Sequence, residues 1–224
     1  MVPGDPVLRG LMTRTRVKIC GLTRPADVAA AVAAGVDAIG LVFYPPSPRA
    51  VTPTLAGELC RLLPPFVTAV GLFVDETAAT VRRVLEQVPL DLVQFHGEEP
   101  PDLCASVGRR WMKAIRMRPG VELAALADAY HGAAGLLLDA YDPALPGGTG
   151  SAFDWGRIPP DLASRIVLAG GLDPTNIAAA ITRVRPYAVD VSGGVESARG
   201  IKDPAKIYAF MQGVRDGDNA RNAF

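Results

Sequence analysis

The chain has 224 residues, 49% of them hydrophobic, and its 23 Lys plus Arg balance 23 Asp plus Glu. That size and apolar content fit one well-filled core, and a net charge of zero gives no reason to expect nucleic acid or an acidic membrane surface as partner. Three widely spaced cysteines (Cys20, Cys60, Cys104), two histidines and no CxxC pair argue against a zinc site and for a reducing compartment.

No apolar run is long enough for a signal peptide or a bilayer span, so the expectation is a soluble cytoplasmic protein with no membrane partner. Residues 1–15 read as a loose extension, 16–213 as the folded catalytic unit, and 214–224 as a polar, frayed tail. Between the ends, short apolar runs alternate with amphipathic segments. Strands are expected at 17–20, 38–43, 68–73, 92–95, 111–116, 135–139, 166–169 and 188–191. Several are continuously apolar, as parallel strands covered on both faces are. Helices are expected at 25–34, 54–63, 77–87, 100–107, 121–130, 175–183 and 203–212. Pro25 marks a start and Gly35 a stop, and Pro64 and Pro89 follow two of the ends. The helix of the sixth unit falls near 153–158, where the pattern is weakest. Eight strand–helix units in a chain of this size point to a single (β/α)8 TIM barrel with eight parallel strands. An open doubly wound sheet would carry a GxGxxG turn after its first strand, and Cys20-Gly21-Leu22-Thr23 is not one.

Chemistry in such a barrel collects at the C-terminal strand ends. Cys20 ends the first strand and Asp139 the sixth, nearly opposite in a circle of eight. A thiolate is a competent base and a carboxylic acid a competent proton donor. Alone, Cys20 reads equally as a small buried hydrophobe and Asp139 as a cap; their joint placement favours chemistry. Strand parity sends Lys18 inward with Cys20, and Asp190 inward with Ser192 on the neighbouring eighth strand. A Lys18–Asp190 pair inside the barrel is therefore expected, against the alternative that Lys18 reaches solvent. Cys60 and Cys104 sit in leucine-rich helical patterns and read as packing residues.

Three glycine clusters follow successive strands: Gly147-Gly148-Thr149-Gly150, Gly170-Gly171 and Ser192-Gly193-Gly194. Glycines let backbone N–H groups approach a ligand, and the loops after strands seven and eight form the recurring phosphate site of this fold. Gly148, Gly150, Gly171, Ser192, Gly193 and Gly194 are the candidate phosphate-binding residues. Arg49, in a proline-stiffened loop beyond strand two, reads either as a carboxylate clamp or as a solvated arginine. His96, ending strand four with Gln94, reads as a substrate contact or as a side chain satisfying loop carbonyls.

The segments VKICGLTR, GLVFYPPSPRAV, VGLFVDE, VQFHGEE, LLLDAY, GGTGSAFDW, LAGGLDPTN and VDVSGGVE stand in that order from Val17 to beyond Asp190. Together they resemble the phosphoribosylanthranilate isomerases of tryptophan biosynthesis over nearly the whole folded region. The resemblance implies a cofactor-independent aldose–ketose isomerase with no metal. Its reaction is the Amadori rearrangement of N-(5-phosphoribosyl)anthranilate to 1-(2-carboxyphenylamino)-1-deoxyribulose 5-phosphate. It further implies Asp139 as general acid on the ring oxygen, Cys20 as general base on the C2′ proton, Arg49 on the anthranilate carboxylate, and the glycine loops on the phosphate.

Three alternatives are weaker. The sugar-phosphate isomerases of histidine biosynthesis, dual-substrate relatives included, carry an aspartate in place of Cys20 and a glycine pair after strand three, where this chain has Phe73-Val74-Asp75-Glu76. Indole-glycerol-phosphate synthase needs a lysine-centred set absent from these strand ends. A non-catalytic phosphate-binding barrel would have no use for Cys20 opposite Asp139.

Overall fold

The structure, a computed structural model, describes residues 14–140 and 153–223. Eight parallel strands close into a barrel: β1 (Arg16–Cys20), β2 (Ala38–Val42), β3 (Thr68–Phe73), β4 (Leu92–Phe95), β5 (Trp111–Arg116), β6 (Leu136–Asp139), β7 (Ile166–Leu168) and β8 (Ala188–Val191). β8 returns to β1 with Lys18 opposite Asp190. The outer layer is α1 (Pro25–Ala34), α2 (Pro53–Cys60), α3 (Ala78–Gln87), α4 (Pro101–Ala105), α5 (Leu123–Ala129), α6 (Pro160–Ala163), α7 (Ile177–Val184) and α8 (Pro204–Asn222). None of these helices is long and apolar enough to cross a membrane.

Local chemistry fixes most boundaries. α1 starts with proline in its first turn and ends at Gly35, whose φ of 86° suits a residue without a Cβ. Thr52 and Thr77 cap α2 and α3 by accepting from the Leu55 and Thr80 amides, and Asp203 caps α8. The sixth unit departs from expectation. Residues 155–157 form only a 3₁₀ turn, because the Asp154 side chain takes the Gly156 N–H, and the helix begins later at Pro160. The C-terminus departs too. α8 runs through the residues expected to be a polar tail, burying Val214, Gly217 and Asp218. Asp218 accepts from the Thr15 amide and hydroxyl, both at 2.7 Å, and so ties the last helix to the start of β1.

Strand alternation sorts the side chains into two sets. Val17, Ile19, Ile39, Leu41, Phe73, Phe95, Leu138 and Val189 face the helices and join the main core. Phe43 and Phe73 stack there, with ring centroids 5.1 Å apart. Val70, Met112, Ala114, Leu137 and Ala169 fill the middle of the barrel, and Cys20, Val42 and Leu72 form the layer above them. The middle of the barrel is therefore filled, and a cavity opens above it at the C-terminal strand ends. One element had no counterpart in the sequence reading: the antiparallel hairpin β9 (Glu196–Ala198) and β10 (Ile201–Lys202), turned at Gly200 with φ 79°. It folds Glu196 and Lys202 back over the barrel mouth.

Candidate active site

A cavity of about 650 Å³ lies over the C-terminal strand ends, lined by residues from β1 to β6 and β8 and by the loops after β2, β7 and β8. That volume suits a small metabolite. Cys20 forms part of its floor at 5% exposure, and Asp139 part of its wall at 8%. Each sits on the last residue of its strand, so parity and strand length together deliver both to the cavity.

Beneath Cys20, Lys18 Nζ donates to Asp190 Oδ1 at 2.9 Å, with both side chains buried. The expected interior pair is thus present and the solvent-reaching alternative is excluded. Burial works against the Lys18 ammonium, but Asp190 and the adjacent Cys20 more than offset it, and the group stays charged. Burial pushes the Cys20 thiol above its ordinary value, with Lys18 opposing. Room for this arrangement comes from Gly40, which faces Cys20 across the β1–β2 ladder. A Cβ at residue 40 would lie 2.6 Å from Cys20 Sγ and 3.1 Å from Lys18 Nζ.

His96 is not spent on loop carbonyls. Its Nε2 lies 3.1 Å from Asp139 Oδ2 and its Nδ1 2.9 Å from Gln94 Nε2, and both Gln94 and His96 line the cavity. Arg116 Nη2 donates to the His96 carbonyl at 3.3 Å.

Arg49 is not a solvated loop arginine. Its stem lies across Gly21, whose φ of 76° and missing Cβ make the space. Arg49 Nε and Nη2 donate to Glu196 at 2.7 and 2.8 Å, the two-point geometry expected of a guanidinium on a carboxylate. Glu196 also accepts from Lys202 Nζ at 2.8 Å, and that ammonium donates onward to the Ser192 carbonyl at 3.1 Å. Burial alone would raise the Glu196 carboxyl, but bonds from Arg49 and Lys202 hold it below its ordinary range. Burial depresses Lys202. Ser192 Oγ in turn donates to the Cys20 carbonyl at 3.0 Å, closing a circuit from the loop after β8 to the end of β1.

Gly171, Ser192, Gly193 and Gly194 all line the cavity. Gly170 and Gly171 take φ of 81° and 66°, and a Cβ at Gly194 would overlap the Leu172 carbonyl. Gly170, Gly171 and Gly194 are thus set by positive φ or close backbone approach, a setting in which peptide N–H groups are able to meet an anion. Gly148 and Gly150 lie outside the described residues. Among the described residues, no group of three or more His, Cys, Asp and Glu side chains is arranged to hold a metal ion.

The model of the N-(5'-phosphoribosyl)anthranilate (PRA) isomerase family matches residues 17–213. The chain belongs to this family. It is 58% identical over 201 residues to the N-(5'-phosphoribosyl)anthranilate isomerase of Nitrosococcus oceani, covering 90% of this chain and 98% of that protein. It is 56% identical over 209 residues to that of Pseudomonas fluorescens, covering 93% and 100%. The phosphoribosylanthranilate isomerase of Thermotoga maritima superposes with a TM-score of 0.83 at 40% identity, over 90% of this chain and 98% of that one. Another isomerase structure, in complex with reduced 1-(o-carboxyphenylamino)-1-deoxyribulose 5-phosphate, gives a TM-score of 0.79 at 39% identity with the same coverage. The activity is accordingly the Amadori isomerisation of N-(5-phosphoribosyl)anthranilate in tryptophan biosynthesis. The histidine-pathway and non-catalytic readings fall away.

Three residues that shape this site were not singled out in sequence: Gly40, Glu196 and Lys202, whereas Gln94, read at the end of strand four with His96, does line the cavity. Gly40 carried a usable signal, because inward parity places it beside Cys20 on the neighbouring strand. Glu196 and Lys202 carried none, since their position depends on the hairpin.

Proposed function

We propose that Asp139 and Cys20 divide the two proton transfers of this isomerisation, with Arg49 and the glycine loops holding the two ends of the substrate. Asp139 gives a proton to the furanose ring oxygen, the C1′–O bond breaks, and the anilino nitrogen lone pair completes a protonated Schiff base at C1′. The Cys20 thiolate then removes the C2′ proton, and the C–H electrons flow into the iminium. The enolamine that forms becomes the ketone when C1′ gains a proton and the 2′-hydroxyl loses one. The observation that carries this assignment is the placement of one thiol and one carboxyl on two nearly opposite strand ends that open into a single cavity.

The two anchors follow from charge. The Nη1 side of Arg49 has no protein acceptor among the described residues, because Glu196 occupies only Nε and Nη2. It is suited to the anthranilate carboxylate. The backbone at Gly171, Ser192, Gly193 and Gly194, with Gly148 and Gly150, receives the phosphate. Gripping both ends spends remote binding energy on aligning C2′ with the base. The catalytic unit takes in α8 to Asn222, and three buried free cysteines suit a reducing cytoplasm.

Turnover in D2O tests the assignment. The wild type is expected to place solvent deuterium at C1′ of the product. Cys20→Ala is expected to lose turnover while Cys20→Asp, which restores a base, recovers part of it. Full turnover by Cys20→Ala would remove Cys20 from the reaction.

A further inference from the structure

Gln94 is fully buried, yet its Oε1 has no hydrogen-bond partner, while its Nε2 lies 2.9 Å from His96 Nδ1. An amide nitrogen can only donate, so Nδ1 must be the bare nitrogen of the ring and the His96 proton sits on Nε2. Turning the amide over would bury its two N–H groups in the same unpartnered spot, and orphaned N–H groups are rarer in folded proteins than orphaned carbonyls. Nε2 faces Asp139 Oδ2 at 3.1 Å.

We propose that Gln94 is a positioning residue that fixes the His96 tautomer and thereby places the transferable proton of Asp139 on Oδ1. This rests on the reading of Asp139 as the acid. With Nε2–H donating to Oδ2, that oxygen is occupied as an acceptor, and the carboxylic proton is left on the other oxygen, free to meet the ring oxygen. When the proton leaves, the same Nε2–H stabilises the new carboxylate without moving. In the other tautomer a bare Nε2 would draw the acid proton toward the imidazole and away from substrate. The other charged groups around the pair are Asp190 from β8, Lys18 and Cys20 from β1, and Arg116 from β5. Lys18 is committed to Asp190, and Arg116 touches the His96 carbonyl. Among the described residues Gln94 is the side chain in contact with Nδ1, so it selects the tautomer.

The test reads the tautomer directly. The chain has two histidines, and the other, His131, is exposed. 15N-histidine labelling with a His131→Gln variant for assignment therefore isolates one ring. The wild type is expected to show protonated Nε2 and bare Nδ1. Gln94→Glu presents only acceptors, and is expected to move the proton to Nδ1 and to lower kcat by about tenfold or more with KM changed less, as loss of a transition-state proton alignment does. Gln94→Leu is expected to give mixed tautomers and an intermediate kcat. A wild-type ring protonated on Nδ1, or a Gln94→Glu protein with wild-type tautomer and kcat, would overturn the proposal. Failure of the acid assignment itself would show separately, as an active Asp139→Asn protein whose His96 tautomer is still Nε2–H.

Discussion

Lys18 and Cys20 share one face of β1, and both fit because residue 40 on the next strand has no side chain. Gly40→Ala would push a methyl to 2.6 Å from the thiol. Overpacking at such a site costs about 1–3 kcal/mol, and displacing the thiol proposed as the base costs rate as well. The expected outcome is a folded protein with a lowered denaturation midpoint and kcat reduced about a hundredfold; unchanged kinetics would mean that the thiol is not held where the reaction needs it. The pH dependence belongs to the same residue. Burial raises the Cys20 thiol, so only a fraction is thiolate near neutrality. A base must be deprotonated, so kcat/KM is expected to rise with pH on its acidic side and to continue rising beyond neutrality. Cys20→Asp should move that rising limb to lower pH, since a carboxyl ionises far more readily than a thiol. Cys20 and Asp139 were legible in the sequence because each ends a short apolar strand, where parity alone decides the direction. The true surroundings of Arg49 were not, because a two-point bond to a residue 147 positions away leaves no local pattern.

At the scale of elements, the β9–β10 hairpin converts a loop into a brace. It sets Glu196 between Arg49 and Lys202, and Lys202 has no exposed side-chain surface. Glu196→Gln leaves two cations without their counter-charge, and breaking a buried pair from one side typically costs about 3–5 kcal/mol. KM is expected to rise as Arg49 loses its alignment. Stability should also depend on pH. The Glu196 carboxyl is held below its ordinary value of 4.5 in the fold. Its contribution is therefore complete above that value and is lost as pH falls through the lower, folded value. Denaturant midpoints measured from pH 6 downward are expected to show this loss in the wild type and a shallower acid decline in Glu196→Gln. An identical acid profile in the two proteins would contradict the brace. The hairpin escaped the sequence reading because its strands are three and two residues long and turn on one glycine, too short for any periodicity to register.

For the whole molecule, closure is what makes two distant strand ends into one site. β8 pairs with β1, so the glycine loop after β8, proposed to receive the phosphate, is bonded through Ser192 to the backbone of Cys20. α8 secures that seam from outside, through Asp218 and Thr15. Composition made the C-terminal stretch look like solvent-exposed tail, since Asp, Asn and Arg dominate it. Its apolar and glycine contacts are spaced over helical turns that a local reading counts as polar. Deleting residues 214–224 removes a buried valine and two charge-assisted hydrogen bonds, which together amount to about 5–9 kcal/mol. A clear fall in thermal midpoint is expected; a truncated chain as stable as the full one would show that α8 beyond residue 213 only decorates the barrel. The barrel itself was legible almost to the residue, because eight apolar runs buried on both faces admit few other closed arrangements.

The central claim is that this closed barrel isomerises phosphoribosylanthranilate with Cys20 as base and Asp139 as acid. The most direct measurement is the loss of fluorescence of freshly generated phosphoribosylanthranilate, followed for the wild type, Cys20→Ala and Asp139→Asn, each checked for intact folding by circular dichroism. Removal of a general acid or base costs about 10²–10⁴ in rate, so rapid loss with wild type and near-abolished loss with both variants is the predicted result. A folded Cys20→Ala or Asp139→Asn protein that turns over at the wild-type rate would contradict the account.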